Sequence, residues 1–251
     1  MWFVDPRKLA MVDHVDNALL RRIGAVTALK RSDRDLLDSL IGEAHRVPAD
    51  KCMARRGSHP REVFIVLGGW AYTSWPVDSE RRQILEIKLE GEMIGLTENA
   101  RDGGWQSDVH TLTGCTIATF PRERLRRIFD SSARLTELLF LMLREERREL
   151  VNHLVLIGRH DAYSALANLI LSLNWRLDME GGKAELMEWP LTNRHVADLL
   201  GITPVHVSRT LGRMRADRVV DAGQRQLRIL DRAHLEKAAG CRVRRQEPDQ
   251  D

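Results

Sequence analysis

Apolar positions recur along the chain in rhythms that change from one segment to the next. From Asp16 onward, Leu19, Leu20, Ile23, Val26, Leu29, Leu36, Leu37, Leu40 and Ile41 fall roughly at helical spacing, and Ser32 is suited to cap a second helix. Residues 1–43 therefore read as a helical extension. From 44 to 130 short apolar runs alternate with turn signals: REVFIVLGGWAYTSW, RRQILEIKL, GEMIGL and HTLTGCTIATF. Gly68-Gly69 predicts a hairpin between the run ending at Leu67 and the run resuming at Trp70, with further turns at Pro76–Arg81 and at Gly91. Strands at intervals of about ten residues predict an antiparallel sandwich or barrel.

Pro121 suits the first position of a short basic helix. The longest helical stretch, Ala133 to Ile157, follows it. Leu135, Leu139, Met142, Leu150, His153 and Ile157 fall on it at steps of three, four or seven, with Glu146 in the one polar seam position. So narrow a stripe predicts a dimer interface, helix against helix, between two copies of the chain. The alternative is a helix lying on its own domain. The REERRE block at 144–149 either sets register or faces water. Gly158 breaks the pattern and Asp161 can cap a new helix, DAYSALANLILSLNWRL, so a hinge is expected there. Met179–Lys183, with its paired glycines, reads as a loop.

Residues 192–213, TNRHVADLLGITPVHVSRTLGR, carry the most specific signal. Thr192 can cap a helix from Asn193 to Leu200, with Val196, Leu199 and Leu200 on one face and small Ala197 where a second helix must pass close. Gly201 allows the sharp turn, because glycine enters positive φ without a Cβ penalty. Thr203 caps the next helix and Pro204 takes its first position, where the missing N–H costs nothing. Val207, Leu211 and Met214 form that helix's buried side. The pattern is a helix-turn-helix. Its outward face carries Val205, His206, Ser208, Arg209, Gly212 and Arg213. There Arg209 can bond guanine O6 and N7 together, Ser208 can reach a base edge or phosphate, and Val205 can pack on a thymine methyl. His206 offers a donor or an acceptor, Thr203 lies at the helix start, and Arg213, one turn on, faces phosphate. The following DRVVDAGQRQLRIL predicts a hairpin whose tip, Gln224 and Arg225, can touch the DNA backbone. The whole is a winged helix.

Charge supports this reading without deciding it. The net charge of the 251 residues is only +3, yet between 190 and 240 nine Lys/Arg stand against five Asp/Glu, a local excess suited to phosphate. Cys52, Cys115 and Cys241 lie far apart, which argues against a disulfide framework or a four-cysteine cluster. No apolar run approaches the ~20 residues of a membrane span, and no signal-peptide pattern opens the chain, so a cytoplasmic protein without membrane contact is expected. His45, His59 and His110 keep a metal-binding β-barrel in view. No H-x-H pair or carboxylate at ligand spacing accompanies them, and neither catalysis nor a cofactor is expected. A protein-interaction module with a vestigial helix-turn-helix is the other alternative.

FIVLGGWAYTSW, EGEMIGL, the long helix before Asp161 and LTNRHVADLLGITPVHVSRTLGRM together resemble the cyclic-AMP receptor/fumarate–nitrate reduction (Crp/Fnr) family of bacterial regulators, over about residues 45 to 235. The resemblance implies an α+β fold. Its parts are a helical extension (1–43), a cyclic-nucleotide-binding-like β-roll (44–130), a dimerisation helix and hinge (131–160), a winged helix-turn-helix (161–240) and a tail expected to be disordered (241–251). It implies a homodimer on double-stranded DNA with palindromic half-sites roughly 34 Å apart, RNA polymerase as a further partner, and a small-molecule effector of unknown identity. Ser208 and Arg209 match the base-reading pair of the oxygen-responsive branch, whereas Val205 stands where the family places glutamate. The family's nucleotide pocket pairs Gly-Glu with a later Arg-Ser. Here Gly95 is followed by Leu96, and Gly104-Trp105-Gln106-Ser107 has no arginine beside the serine, so cyclic AMP is not expected to bind in the usual way. Asn99–Gly104 reads as an altered effector loop or an ordinary surface loop.

Overall fold

The computed structural model describes residues 18–26, 28–41, 43–59, 61–98, 104–178 and 184–240. The expected loop at Met179–Lys183, the tail with Cys241, and Asn99–Gly103 lie outside them. The chain divides between Val151 and Asn152 into two compact units.

The first unit opens with two helices, α1 (Ala18–Val26) and α2 (Arg31–Leu40). Eight strands follow: β1 (Ala44–Val47), β2 (Cys52–Ala54), β3 (Glu62–Gly68), β4 (Ala71–Pro76), β5 (Arg82–Lys88), β6 (Met93–Ile94), β7 (Asp108–Thr111) and β8 (Cys115–Pro121). They form two four-stranded sheets, ordered β1-β8-β3-β6 and β2-β7-β4-β5, antiparallel at every pairing. Phe64, Val66, Ala71, Val109 and Ile117 fill the space between the sheets. The alternate residues of β3, Val63, Ile65 and Leu67, join a second core with Leu19, Ile23 and Leu37 from the two opening helices. A strand buried on both faces explains why VFIVL is apolar without alternation.

Several local expectations shift. The turn at Gly68-Gly69 is a corner, not a hairpin: β3 pairs with β6 and β8, while β4 pairs with β5 and β7 in the other sheet. Gly69 takes φ +83°, and a Cβ there would come 2.3 Å from the Gly114 carbonyl oxygen. Helix α2 starts two residues earlier than Ser32 would place it. Lys30 is its N-cap, and the Asp33 carboxylate accepts the Lys30 N–H at 3.2 Å. Pro121 closes β8, and the short helix α3 (Glu123–Ser131) begins two residues later.

Helix α4 runs Ala133–Arg159, straight through Gly158, where an added Cβ would meet nothing. The break comes at His160. Two faces of α4 are apolar. Leu135, Leu138 and Leu139 are buried in the helical core of the first unit, with Met142 packed against it. Leu135, Leu139 and Met142, expected in a seam between copies, are therefore occupied inside the protomer. Glu146 belongs to the same inward face. Its carboxylate accepts from Lys88 Nζ at 2.6 Å, and Glu86 lies 3.2 Å from the same ammonium. Burial pushes the Glu146 carboxyl upward, opposed by the neighbouring Lys88 charge. The REERRE block thus does not face water throughout. It ties the helix to strand β5.

Leu139→Asp should unfold the first unit rather than yield a folded monomer, because it places a carboxylate in a closed apolar core. Far-UV circular dichroism and a denaturant titration check this. A folded, soluble variant would count against the assignment.

Candidate nucleic-acid interface

The second unit is built on α5 (Ala162–Leu177), capped by Asp161, whose carboxylate accepts the Ser164 N–H at 2.8 Å. Its apolar side, including Leu166, Ile170 and Leu173, forms the centre of the unit. A three-stranded sheet, ordered β10-β11-β9, joins β9 (Leu186–Glu188), β10 (Val220–Gly223) and β11 (Gln226–Ile229). The last helix, α8 (Arg232–Ala239), lies against α5. Buried Asn174 is satisfied on both sides: it donates to the Ala184 carbonyl at 2.9 Å and accepts from Arg232 at 2.7 Å. Strand β9 was not foreseen, since three residues beside a polar Gly-Gly segment leave no alternating pattern to read.

Helices α6 (Asn193–Leu200) and α7 (Pro204–Ala216) form the helix-turn-helix as expected. Thr192 Oγ1 accepts the His195 N–H and Thr203 Oγ1 accepts the His206 N–H, each at 3.2 Å, so both helices begin with a satisfied cap. Gly201 adopts φ +68°, ψ +27°, and its N–H closes α6 on the Ala197 carbonyl. Val207, Thr210, Leu211 and Met214 are buried beneath α7, and the Thr210 hydroxyl donates to its own helix at His206 O, 2.9 Å away. Ile202, in the turn, is half-buried.

The opposite face of α7 is open. Thr203, Val205, His206, Ser208, Arg209 and Arg213 are all exposed, Val205 by 67%. Arg213 is held in place. Its guanidinium lies 5.1 Å from the Tyr163 ring centroid and 3.8 Å from the Asp217 carboxylate, which also accepts from the Tyr163 hydroxyl. The wing tip is exposed too. Gln224 and Arg225 join Gly223 to Gln226 with positive φ at both residues, +49° and +61°. That is the two-residue hairpin geometry favouring Asn-Gly, so Gln-Arg is held there against its own preference. The Arg225 carbonyl accepts the Trp189 N–H at 2.8 Å, which pins the tip to the body of the unit. Sequence reasoning did not single out Arg215 and Arg218, exposed at the end of α7 and just beyond it; only the local charge excess pointed to them.

Comparison with known proteins agrees with this geometry. Residues 164–238 match the profile of the Crp-like helix-turn-helix domain, and residues 44–132 that of the cyclic nucleotide-binding domain. The transcriptional activator protein FnrA of Stutzerimonas stutzeri is 23% identical over 232 residues, 90% of this chain and 93% of that protein. The nitrogen fixation regulation protein FixK of Bradyrhizobium diazoefficiens is 26% identical over 161 residues, 64% of this chain and 67% of its own length. Among solved structures, FixK2 from Bradyrhizobium japonicum superposes with a TM-score of 0.70 at 22% identity, covering 78% of this chain and 96% of that one. The chain belongs to the Crp/Fnr family.

As a Crp/Fnr-type transcription regulator it carries a cyclic nucleotide-binding-type domain, in whose core Trp105 is packed. Trp105 is buried and stacks on Phe64, with ring centroids 5.4 Å apart and planes 11° from parallel. Gly95 makes room for it: a Cβ there would lie 2.4 Å from the indole. Arg122 bridges the carbonyls of Gly95 and Leu96, and Glu98 accepts the Gln106 N–H at 2.8 Å, which closes the segment on itself. The histidines of the metal-binding alternative do not converge. His45 lies on β1 and His110 on β7, in different sheets, and His110 stacks on Tyr72. Burial holds the His110 imidazole below its ordinary value, with the Arg82 charge adding to the effect. Among the described residues no group of three or more His, Cys, Asp or Glu could hold a metal ion.

Replacing Gln224-Arg225 with Asn-Gly should raise unfolding stability by about 1–2 kcal/mol, because it relieves the left-handed tip. The same change should lower the slope of log affinity against log salt on duplex DNA by about 1. Thermal melts and binding at several salt concentrations check both. An unchanged slope would remove Arg225 from the interface.

Proposed function

We propose that the chain acts as a homodimer on a palindromic operator, with Ser208 and Arg209 of α7 reading bases. The observation that carries this reading is the asymmetry of α7. Its inner face is sealed into the domain, while every residue suited to reading DNA stands on the outer face, capped and rigid. Arg209 reaches guanine, Ser208 reaches an adjacent base edge or phosphate, and Val205 offers a methyl contact in place of an acidic acceptor. His206 stands beside them. Thr203, Arg213 and the wing residues Gln224 and Arg225 face phosphate and fix register.

The dimer seam lies on the second apolar face of α4. Phe140 (69% exposed), Leu143, Leu150 (43%), Leu154 (72%) and Ile157 (42%) fall at alternating steps of three and four, interrupted by Arg147. That is the heptad spacing of two helices wound together, and a single charged member sets register at some cost in stability. Leu150 stands in this row, and Ile157 stands at its edge, half-exposed. His153 does not, as its ring meets the Leu199 carbonyl.

Cyclic nucleotides are not the effector. Trp105 is buried in the core of the nucleotide-type domain, and Gln106, beside Ser107, supplies no cation to pair with a cyclic phosphate.

Two outcomes follow. Arg209→Ala should weaken binding to a duplex selected from a random pool by about 1–3 kcal/mol, roughly 5- to 150-fold, and relax preference at one guanine. Selection and sequencing before and after the change measure this, and unchanged preference overturns the role of Arg209. Isothermal titration with cyclic AMP at millimolar concentration should give no binding heat, and a saturable signal would overturn the filled-domain reading.

A further inference from the structure

Inside the second unit, the last two turns of α4 face the turn of the helix-turn-helix. His153 Nε2 lies 2.6 Å from the Leu199 carbonyl oxygen. A carbonyl can only accept, so Nε2 carries the hydrogen, a bond available to the neutral Nε2–H tautomer and to the imidazolium alike. Leu199 is the penultimate residue of α6. The imidazole therefore bonds the C-terminal end of α6. One helical turn further along the same face of α4, Ile157 Cγ2 lies 3.5 Å from where a Cβ on Gly201 would stand. Gly201 is the turn itself, and α7 begins three residues later. Leu154 and Val155, on the other side of these two turns, are exposed.

We propose that His153 is a positioning residue. It sets the placement of the recognition helix on α4, and through α4 the half-site spacing that the dimer accepts. The two contacts have different characters. Ile157 over Gly201 is apolar and tolerates sliding, whereas a hydrogen bond of 2.6 Å is directional and permits one arrangement of the turn. In a dimer joined along the exposed face of α4, the distance between the two recognition helices follows from where each sits on its own α4. The inference rests on the dimer reading above.

The test uses the full chain and duplexes carrying two copies of the half-site selected by the wild type, with the spacer varied by up to two base pairs either way. The wild type should favour one spacer by tenfold or more. His153→Ala should keep the helix, since alanine is a strong helix former. It should also leave the dimer dissociation constant and the preferred half-site unchanged, and reduce spacer discrimination at least fivefold. His153→Gln, whose side-chain amide can donate to the same carbonyl, should restore discrimination in part. Leu154→Asp, a monomer control by ultracentrifugation, should lose spacer dependence altogether. A dimeric wild type whose spacer preference survives His153→Ala, or a Gln variant no better than Ala, overturns the assignment of His153 alone. A wild type that is monomeric, or indifferent to spacer, overturns the dimer reading and this inference with it.

Discussion

A helix of 27 residues with two apolar faces must find two partners, and α4 is that helix. Its first face is met within the protomer, where Leu135, Leu138 and Leu139 close the core between the opening helices and the outer side of β3. Burying each such leucine is worth roughly 1.5–3 kcal/mol relative to leaving it in water, so this face is fixed by the fold of one chain. The second face, from Phe140 to Ile157, remains largely exposed in the single chain. An apolar row of this length, broken only by Arg147, is more than the scattered exposed leucines of an ordinary surface. The dimer reading, the orientation of His153 and the placement of the recognition helix all derive from this division of one helix between two neighbours.

The parts of the fold encoded by neighbouring residues were legible in the sequence. The helix-turn-helix is the clearest example. Thr192, Gly201, Thr203 and Pro204 act within a few residues of themselves, through caps, a left-handed turn and a proline where no N–H is needed. Each could be read without knowing what surrounded it. The seam was harder, because periodicity shows that a stripe is buried but not by what. The inner and outer stripes of α4 overlap in register, and one series of three- and four-residue steps begins on the first at Leu135 and ends on the second at Ile157. The corner at Gly69 read as a hairpin for a related reason: two strands joined by paired glycines look alike whether they pair with each other or with strands far away in sequence. Lys88 and Glu146, 58 residues apart, gave no local sign of their pairing.

Family likeness gives the nucleotide-type domain its architecture but leaves its chemistry to the residues present. In this chain Gly95 retains the open backbone position, yet the space it creates is taken by an indole instead of a ligand. The charged pair Lys88–Glu146 links strand β5 to helix α4. Such a pair is strongly held once formed, because removing either member leaves a charge in a poorly solvated place.

The same economy of preformed contacts governs the DNA-facing arginines. Arg213 rests against Tyr163 and Asp217, and an exposed ion pair of this kind contributes about 0–1 kcal/mol. A phosphate offers a charge-assisted bond roughly twice as strong as a neutral one, so the guanidinium is free to exchange Asp217 for DNA without a large loss. The tyrosine ring meanwhile limits the rotamers it must surrender on binding, a cost of about 0.5–1.5 kcal/mol for an unrestrained long side chain. Arg209, one turn earlier, stands exposed, and in the proposed reading it is ordered by the base it meets. The contrast assigns the two residues different work. In the proposed reading Arg213 supplies affinity that varies little with sequence, and Arg209 commits its ordering cost only where a guanine returns it.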